Sequence, residues 1–195
     1  MTVFKFKKKL GQHFISDNKI LQQICSIRKI TDQSVVEIGP GKGSLTKLIL
    51  EKNPFELFVI EKDKTLEPYL QKIKNSFPQK VNMIFGDAVK IKIDKLSKKK
   101  ILLIANLPYN IASTLIINWL EYINIFQSII VMVQKEVAER LSASVSSKSY
   151  GRLSILVQLH AEVKRKFDVN PEKFFPQPKV VSTVIELVPK KKIRF

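Results

Sequence analysis

Residues 35–50 limit the fold more than any other stretch: Val35-Val36-Glu37-Ile38, then Gly39-Pro40-Gly41-Lys42-Gly43, then Ser44-Leu45-Thr46-Lys47-Leu48-Ile49-Leu50. A short apolar run bounded by glycines reads as a buried strand, and the apolar residues after the turn recur at helical spacing. Gly39, Gly41 and Gly43 let the backbone turn tightly and let a ligand approach without a Cβ in its way. Strand, glycine turn and helix together open a βαβ unit, and such units build parallel sheets with a ligand crevice at the carboxyl ends of the strands.

The alternation continues downstream. Residues 56–60 read as a strand ending at Glu61, residues 65–76 as a helix, residues 81–85 as a strand ending at Gly86-Asp87, and Ile101-Leu102-Leu103-Ile104-Ala105 as a buried strand that stops at Asn106-Leu107-Pro108-Tyr109. A helix over 112–122, a strand over 128–133 and a helix over 135–142 follow, which predicts a doubly wound parallel sheet covered on both faces. Upstream, Ser16 and Asp17 are candidate caps for a helix that carries Ile20, Leu21, Ile24 and Ile27 on one face. At the other end, residues 152–159 and 180–188 both read as strands with no long helix between them, predicting an antiparallel pair at one sheet edge. The serine-rich segment 142–150 reads as a mobile loop beside a site.

The residues that follow each strand form one chemical set. Glu61 can accept both hydroxyls of a ribose, Asp87 can accept a hydrogen bond from an adenine amino group, and Gly39 and Gly41 leave room for the remainder of a nucleoside ligand. Dinucleotide enzymes share the general pattern of a glycine turn followed some twenty residues later by an acid. Here the spacing is Gly-x-Gly-x-Gly, which suits a nucleoside carrying an amino acid, as in S-adenosylmethionine, better than a pyrophosphate. Asn106-Leu107-Pro108-Tyr109 matches the needs of methyl transfer to an exocyclic amine. The Asn106 side-chain oxygen and the Leu107 carbonyl can accept the two amino hydrogens and aim the nitrogen lone pair, Pro108 fixes the turn, and Tyr109 offers a stacking face for an extruded base.

Composition narrows the class further. With 34 Lys and Arg against 17 Asp and Glu in 195 residues, the formal charge is +17, which points to a polyanionic partner; the competing reading, a composition bias toward lysine, rests on Lys supplying 29 of the 34. A single cysteine, Cys25, excludes an internal disulfide, and no Cys/His cluster has zinc spacing, so no metal is expected. No apolar run reaches membrane-span length and the N-terminus has no signal core, so a cytoplasmic protein without membrane attachment is expected. Nothing suggests an apolar dimer seam, so a monomer is expected. His160 and Trp119 read as packed residues, Cys25 as a buried small hydrophobe, and Lys5–Lys9 as a candidate phosphate contact beside the cofactor mouth.

Eight segments occurring in order resemble the KsgA family of ribosomal RNA adenine dimethyltransferases: 11–14 (GQHF), 37–41 (EIGPG), 59–61 (VIE), 86–88 (GDA), 106–110 (NLPYN), 134–137 (QKEV), 150–154 (YGRLS) and 174–180 (FFPQPKV). The resemblance implies a Rossmann-like class I S-adenosylmethionine-dependent methyltransferase with a seven-stranded, mostly parallel sheet and an antiparallel edge hairpin. It further implies cofactor contacts from His13, Ile15, Gly39, Glu61, Asp87 and Asn106, and closure of Phe174 over the target base opposite Tyr109. The implied substrate is a pair of adjacent adenosines near the 3′ end of 16S rRNA in the pre-ribosomal small subunit, each receiving two methyls on N6. Residue chemistry alone reaches the strand-end set but not His13, Ile15 or Phe174.

Family members usually continue into a small helical C-terminal domain, whereas this chain stops at Lys190–Phe195, directly after the last expected strand. The expectation is one catalytic domain over 1–195 with that helical domain absent. Two alternatives stand beside this reading. One is an Erm-type enzyme acting on 23S rRNA, which the segments at 134–141 and 150–152 disfavour. The other is a non-catalytic RNA-binding assembly factor of the same fold, disfavoured by the joint presence of Asn106, Pro108 and Tyr109.

Overall fold

The computed structural model describes residues 6–7 and 11–191. In chain order its elements are β1 (Phe14–Ile15), α1 (Asn18–Ser26), β2 (Ser34–Ile38), α2 (Ser44–Glu51), β3 (Glu56–Glu61), α3 (Glu67–Ser76), β4 (Val81–Phe85), β5 (Ile101–Asn106), α4 (Ala112–Leu120), β6 (Phe126–Gln134), α5 (Lys135–Leu141), α6 (Arg152–His160), β7 (Ala161–Val169), β8 (Phe174–Phe175) and β9 (Ser182–Pro189). Seven strands form one sheet in the order β4-β3-β2-β5-β6-β9-β7. The four pairings from β4 to β6 are parallel, and β9 runs antiparallel to both β6 and β7.

Burial on both faces explains why the central strands read as unbroken apolar runs. In β5, Leu102 and Ile104 face a layer with α1, α2 and α3, while Ile101, Leu103 and Ala105 face a layer with α4, α5 and α6. Ile101 through Leu103 and Ile104 are fully buried, and each such side chain contributes about 1.5–3 kcal/mol relative to an exposed one. Trp119 (1% exposed) and Cys25 (3%) lie in these layers as expected. Asp17 caps α1 by accepting a hydrogen bond from the Lys19 N–H at 2.9 Å. A buried carboxylate crosses the sheet: Glu186 on β9 accepts from Arg28, from Lys166 at 2.7 Å and from the Ser128 hydroxyl at 2.8 Å.

The edge hairpin forms, but not from the segment predicted. Residues 152–159 are helix α6, not a strand, and the partner of β9 is β7. The segment Arg152-Leu153-Ser154-Ile155-Leu156-Val157 is apolar around most of its circumference, which masks the helical period. Only Leu153, Ser154 and Val157 are buried, while Ile155, Leu156 and Leu159 stand exposed. The Ser154 hydroxyl accepts the Gly151 N–H at 3.1 Å and so starts the helix. β7 carries Glu162, Lys164, Arg165, Lys166 and Asp168, a density of charge that hides a strand whose outer face meets water, and its register slips between Arg165 and Phe167. His160 accordingly ends a helix, with its Nδ1 2.8 Å from the Leu156 carbonyl. The 142–150 loop joins α5 to α6 and supplies none of the cavity wall described next.

Candidate active site

The carboxyl ends of β2, β3, β4 and β5 open into one cavity, open to solvent at its mouth. Its wall includes Gly39 after β2, Glu61 at the end of β3 with Lys62 beyond it, Gly86-Asp87-Ala88 after β4, Asn106 at the end of β5 with Leu107 through Ile111 beyond it, and Gly11 through Phe14 from the N-terminal segment. Parallel strands end at one edge of the sheet by construction, which is why residues up to seventy positions apart in sequence converge here.

Each acid arrives already oriented. Glu61 is 7% exposed; its Oε1 accepts the Asp63 N–H at 2.8 Å and its Oε2 accepts the Gly41 N–H at 3.2 Å. Both oxygens are thereby anchored by the backbone while the carboxylate lines the cavity. Burial raises the Glu61 pKa, and backbone hydrogen bonds from Asp63, Gly41 and Lys62 oppose the rise. Asp87 accepts the Lys62 ammonium at 2.8 Å and the Val89 N–H at 3.1 Å, and the Lys62 bond foremost holds its pKa below the usual value.

The turn after β5 is pinned on both sides. Leu107 N–H donates to the Met132 carbonyl at 3.2 Å, and Ile111 N–H closes the turn on the Pro108 carbonyl at 3.1 Å. The Asn106 side-chain nitrogen donates to the His13 carbonyl at 2.8 Å. That bond fixes which end of the amide is which and leaves Oδ1 as the atom able to receive an amino hydrogen. The Tyr109 hydroxyl meets the buried Ser182 hydroxyl at 2.7 Å, and its ring lies 5.6 Å from the His13 ring at 22°, a stacked pair. Burial raises the Tyr109 pKa, partly offset by Ser182.

The N-terminal segment forms a strap over the cavity. β1 pairs antiparallel with β8, matching Phe14 with Phe175 and Ile15 with Phe174. Ser16 N–H donates to the Lys173 carbonyl at 2.8 Å, and His13 Nδ1 lies 2.6 Å from the Pro176 carbonyl, so Nδ1 carries the proton. Seven of the residues singled out from sequence thus share one wall: His13, Gly39, Glu61, Asp87, Asn106, Leu107 and Tyr109. The other three stand back from it. Gly41 supplies its N–H to Glu61, Ile15 is 8% exposed and lines a smaller neighbouring cavity, and Phe174 is 3% exposed within the apolar layer that includes Ile15 and Val184. Strand alternation turns Phe175 outward instead, 63% exposed and edge-on to Phe6. Of the basic arm, Lys7 lies in this strap, while Lys5, Lys8 and Lys9 lie outside the described residues. Lys62, Asp63, Ser182 and Pro176 escaped the sequence reading; for the first two the available signal was their position immediately after the Glu61 strand end.

Glu37, 1% exposed on β2, lines the smaller cavity with an Oε2 that has no hydrogen-bond partner among the described residues. Burial foremost, with the charge of Glu61 adding to it, pushes its pKa from 4.5 up to about 8. The unfolded chain releases this proton near pH 4.5 whereas the folded chain holds it to about 8. The folded state therefore binds more protons in that window, and the contribution of Glu37 to stability falls as pH rises through it. Thermal melts from pH 5 to 8 should show this decline in the wild type and a flatter profile in Glu37→Gln; parallel profiles would remove Glu37 as the cause.

A family model described as ribosomal RNA adenine dimethylase matches residues 3–194. The chain is 46% identical over 190 residues to ribosomal RNA small subunit methyltransferase A of Ehrlichia chaffeensis, covering 97% of this chain and 72% of that protein. Among solved structures, a dimethyladenosine transferase from Plasmodium falciparum superposes with a TM-score of 0.81 at 32% identity, covering 90% of this chain and 63% of that one. The 23S rRNA methyltransferase ErmE superposes with a TM-score of 0.79 at 21% identity, a likeness of fold, covering 93% of this chain and 72% of that one. The strand-end cavity, its oriented acids and the match along almost the whole sequence lead to one assignment: this chain belongs to the ribosomal RNA adenine dimethylase family.

Proposed function

We propose that the cavity binds S-adenosylmethionine and that the chain, a cytoplasmic monomer, transfers methyl groups to N6 of two adjacent adenosines near the 3′ end of 16S rRNA in the pre-ribosomal small subunit. The observation that carries this reading is the Asn106 amide, whose nitrogen is committed to the His13 carbonyl and whose oxygen is thereby presented at the cavity. The wall suits the cofactor: the Glu61 carboxylate, anchored by backbone N–H groups at the cavity, is placed to accept ribose hydroxyls, and Asp87 is held ionised as an acceptor for an adenine amino group.

The adenine amino nitrogen is a weak nucleophile because its lone pair is delocalised into the ring. Asn106 Oδ1 and the Leu107 carbonyl, accepting its two hydrogens, favour a more pyramidal nitrogen and direct the lone pair toward the cofactor side of the cavity. Tyr109, steadied by Ser182, stacks on the extruded base, a contact worth about 1–3 kcal/mol. When bound, S-adenosylmethionine supplies an electrophilic methyl on a positively charged sulfur, so positioning provides much of the acceleration. The formal charge of +17 complements an rRNA backbone.

Identity of 46% to a protein named for the small subunit, against a fold-level likeness to ErmE, favours small-subunit over 23S rRNA. Incubation with cofactor and either immature small subunits or naked 23S rRNA, followed by mass spectrometry of the digested RNA, should show N6,N6-dimethyladenosine in the small-subunit RNA. Dimethylation confined to 23S rRNA would reverse the assignment.

A further inference from the structure

Asp63, two residues beyond Glu61, is 2% exposed and takes more hydrogen bonds than any cap requires. Its Oδ1 accepts the Thr65 N–H at 3.0 Å and the Thr65 hydroxyl at 2.6 Å, which is sufficient to start the turn leading into α3. The same carboxylate also reaches across to the N-terminal strap: Lys7 Nζ lies 2.5 Å from Oδ1 and Gln12 Nε2 lies 2.8 Å from Oδ2. Meanwhile the Asp63 backbone N–H holds Glu61 Oε1. One residue therefore grips the ribose-facing acid with its main chain and the strap with its side chain. Lys7, Thr65 and Gln12 together outweigh the effect of burial and keep the carboxylate ionised.

We propose that Asp63 is a positioning residue that latches the N-terminal strap over the cofactor cavity and thereby sets how fast the cofactor escapes. The proposal rests on the reading of that cavity as an S-adenosylmethionine site. Gly11, Gln12, His13 and Phe14 form one wall of the cavity, and Gln12 is the residue next to His13, whose carbonyl orients Asn106. Freeing Gln12 lets that wall lift, and the apparent affinity falls in proportion to the fraction of molecules with the strap closed.

The geometry supplies a selective test. Gln12 Oε1 accepts the Lys7 N–H at 2.8 Å, so the Gln12 amide cannot turn over without losing that bond. In Asp63→Asn the amide oxygen can keep the Thr65 cap, but its NH₂ then faces the Gln12 NH₂, two donors with nothing to share. The cap survives, Lys7 is left with a neutral oxygen in place of a carboxylate, and the Gln12 half of the latch opens. In S-adenosylhomocysteine binding followed by calorimetry and stopped-flow, Asp63→Asn should weaken affinity by about ten-fold, chiefly through faster dissociation. Gln12→Ala should act in the same direction, and the double variant should add little to either single change. Thr65→Ala, which touches the cap but not the strap, should lower the melting temperature while leaving dissociation unchanged. A folded Asp63→Asn or Gln12→Ala protein that releases S-adenosylhomocysteine at the wild-type rate overturns the latch while the cofactor reading stands. If the wild-type chain binds no S-adenosylhomocysteine, the cofactor reading fails and the latch falls with it.

Discussion

Replacing Asn106 by alanine should lower methyl transfer by about 10²–10³-fold, the loss typical when one preorganised polar group is removed from around a reacting centre. Alanine removes the oxygen proposed to receive an amino hydrogen and also the nitrogen that ties the turn to the His13 carbonyl. Leu107 remains anchored on Met132 and Tyr109 on Ser182, so the turn should persist and both cofactor and RNA should still bind in part. Asn106→Asp separates the two roles, because it keeps an acceptor oxygen but sets a carboxylate against the His13 carbonyl. It too should be severely impaired, with the strap loosened as well. Single-turnover methylation of small-subunit RNA, measured alongside cofactor affinity, distinguishes these effects. Unchanged turnover in Asn106→Ala would remove the residue from the reaction.

A single methyl group at Gly41 should be nearly as damaging to cofactor binding. Gly41 has φ +60°, a conformation that costs other residues about 1–2 kcal/mol. A Cβ there would sit 2.7 Å from the Phe14 ring, on the strap, so the ring must move or the turn must open. Either response disturbs the Gly41 N–H that orients Glu61. Strain and displacement together predict cofactor binding weaker by about 10- to 100-fold in Gly41→Ala. Gly151→Ala is the matched control: its backbone is extended and its Cβ would meet nothing within 4 Å. Calorimetry that gives both variants wild-type affinity would show that the turn tolerates a side chain and that its glycines serve another purpose.

The site was legible where the chain changes character abruptly. Apolar runs ending at Gly39, Glu61, Asp87 and Asn106 mark strand ends in a sheet buried on both faces, and parallel topology alone then brings those ends together. The strap was not legible from residue chemistry, because β1 and β8 are two residues each and pair across some 160 positions, far too short for any periodicity. His13 entered only through the family likeness, and Asp63 and Ser182 not at all. A carboxylate that caps a turn and one that also binds a distant strap look the same in sequence. The edge hairpin was anticipated in kind but displaced by some nine residues, since α6 is apolar on more than one side and β7 is charged on its open side.

That charged strand has a bearing on how the molecule keeps to itself. Among the described residues β7 ends the sheet, with one row of backbone donors and acceptors unmatched at its margin, and such a row can recruit a strand from another molecule. The ion-paired side chains along it, Lys164 with Glu162 and Arg165 with Asp168, together with the register slip before Phe167, make that margin costly to extend by the loss of their hydration and by local misfit. The same side chains that concealed the strand from a hydropathy pattern thus guard the folded protein against aggregation at this edge.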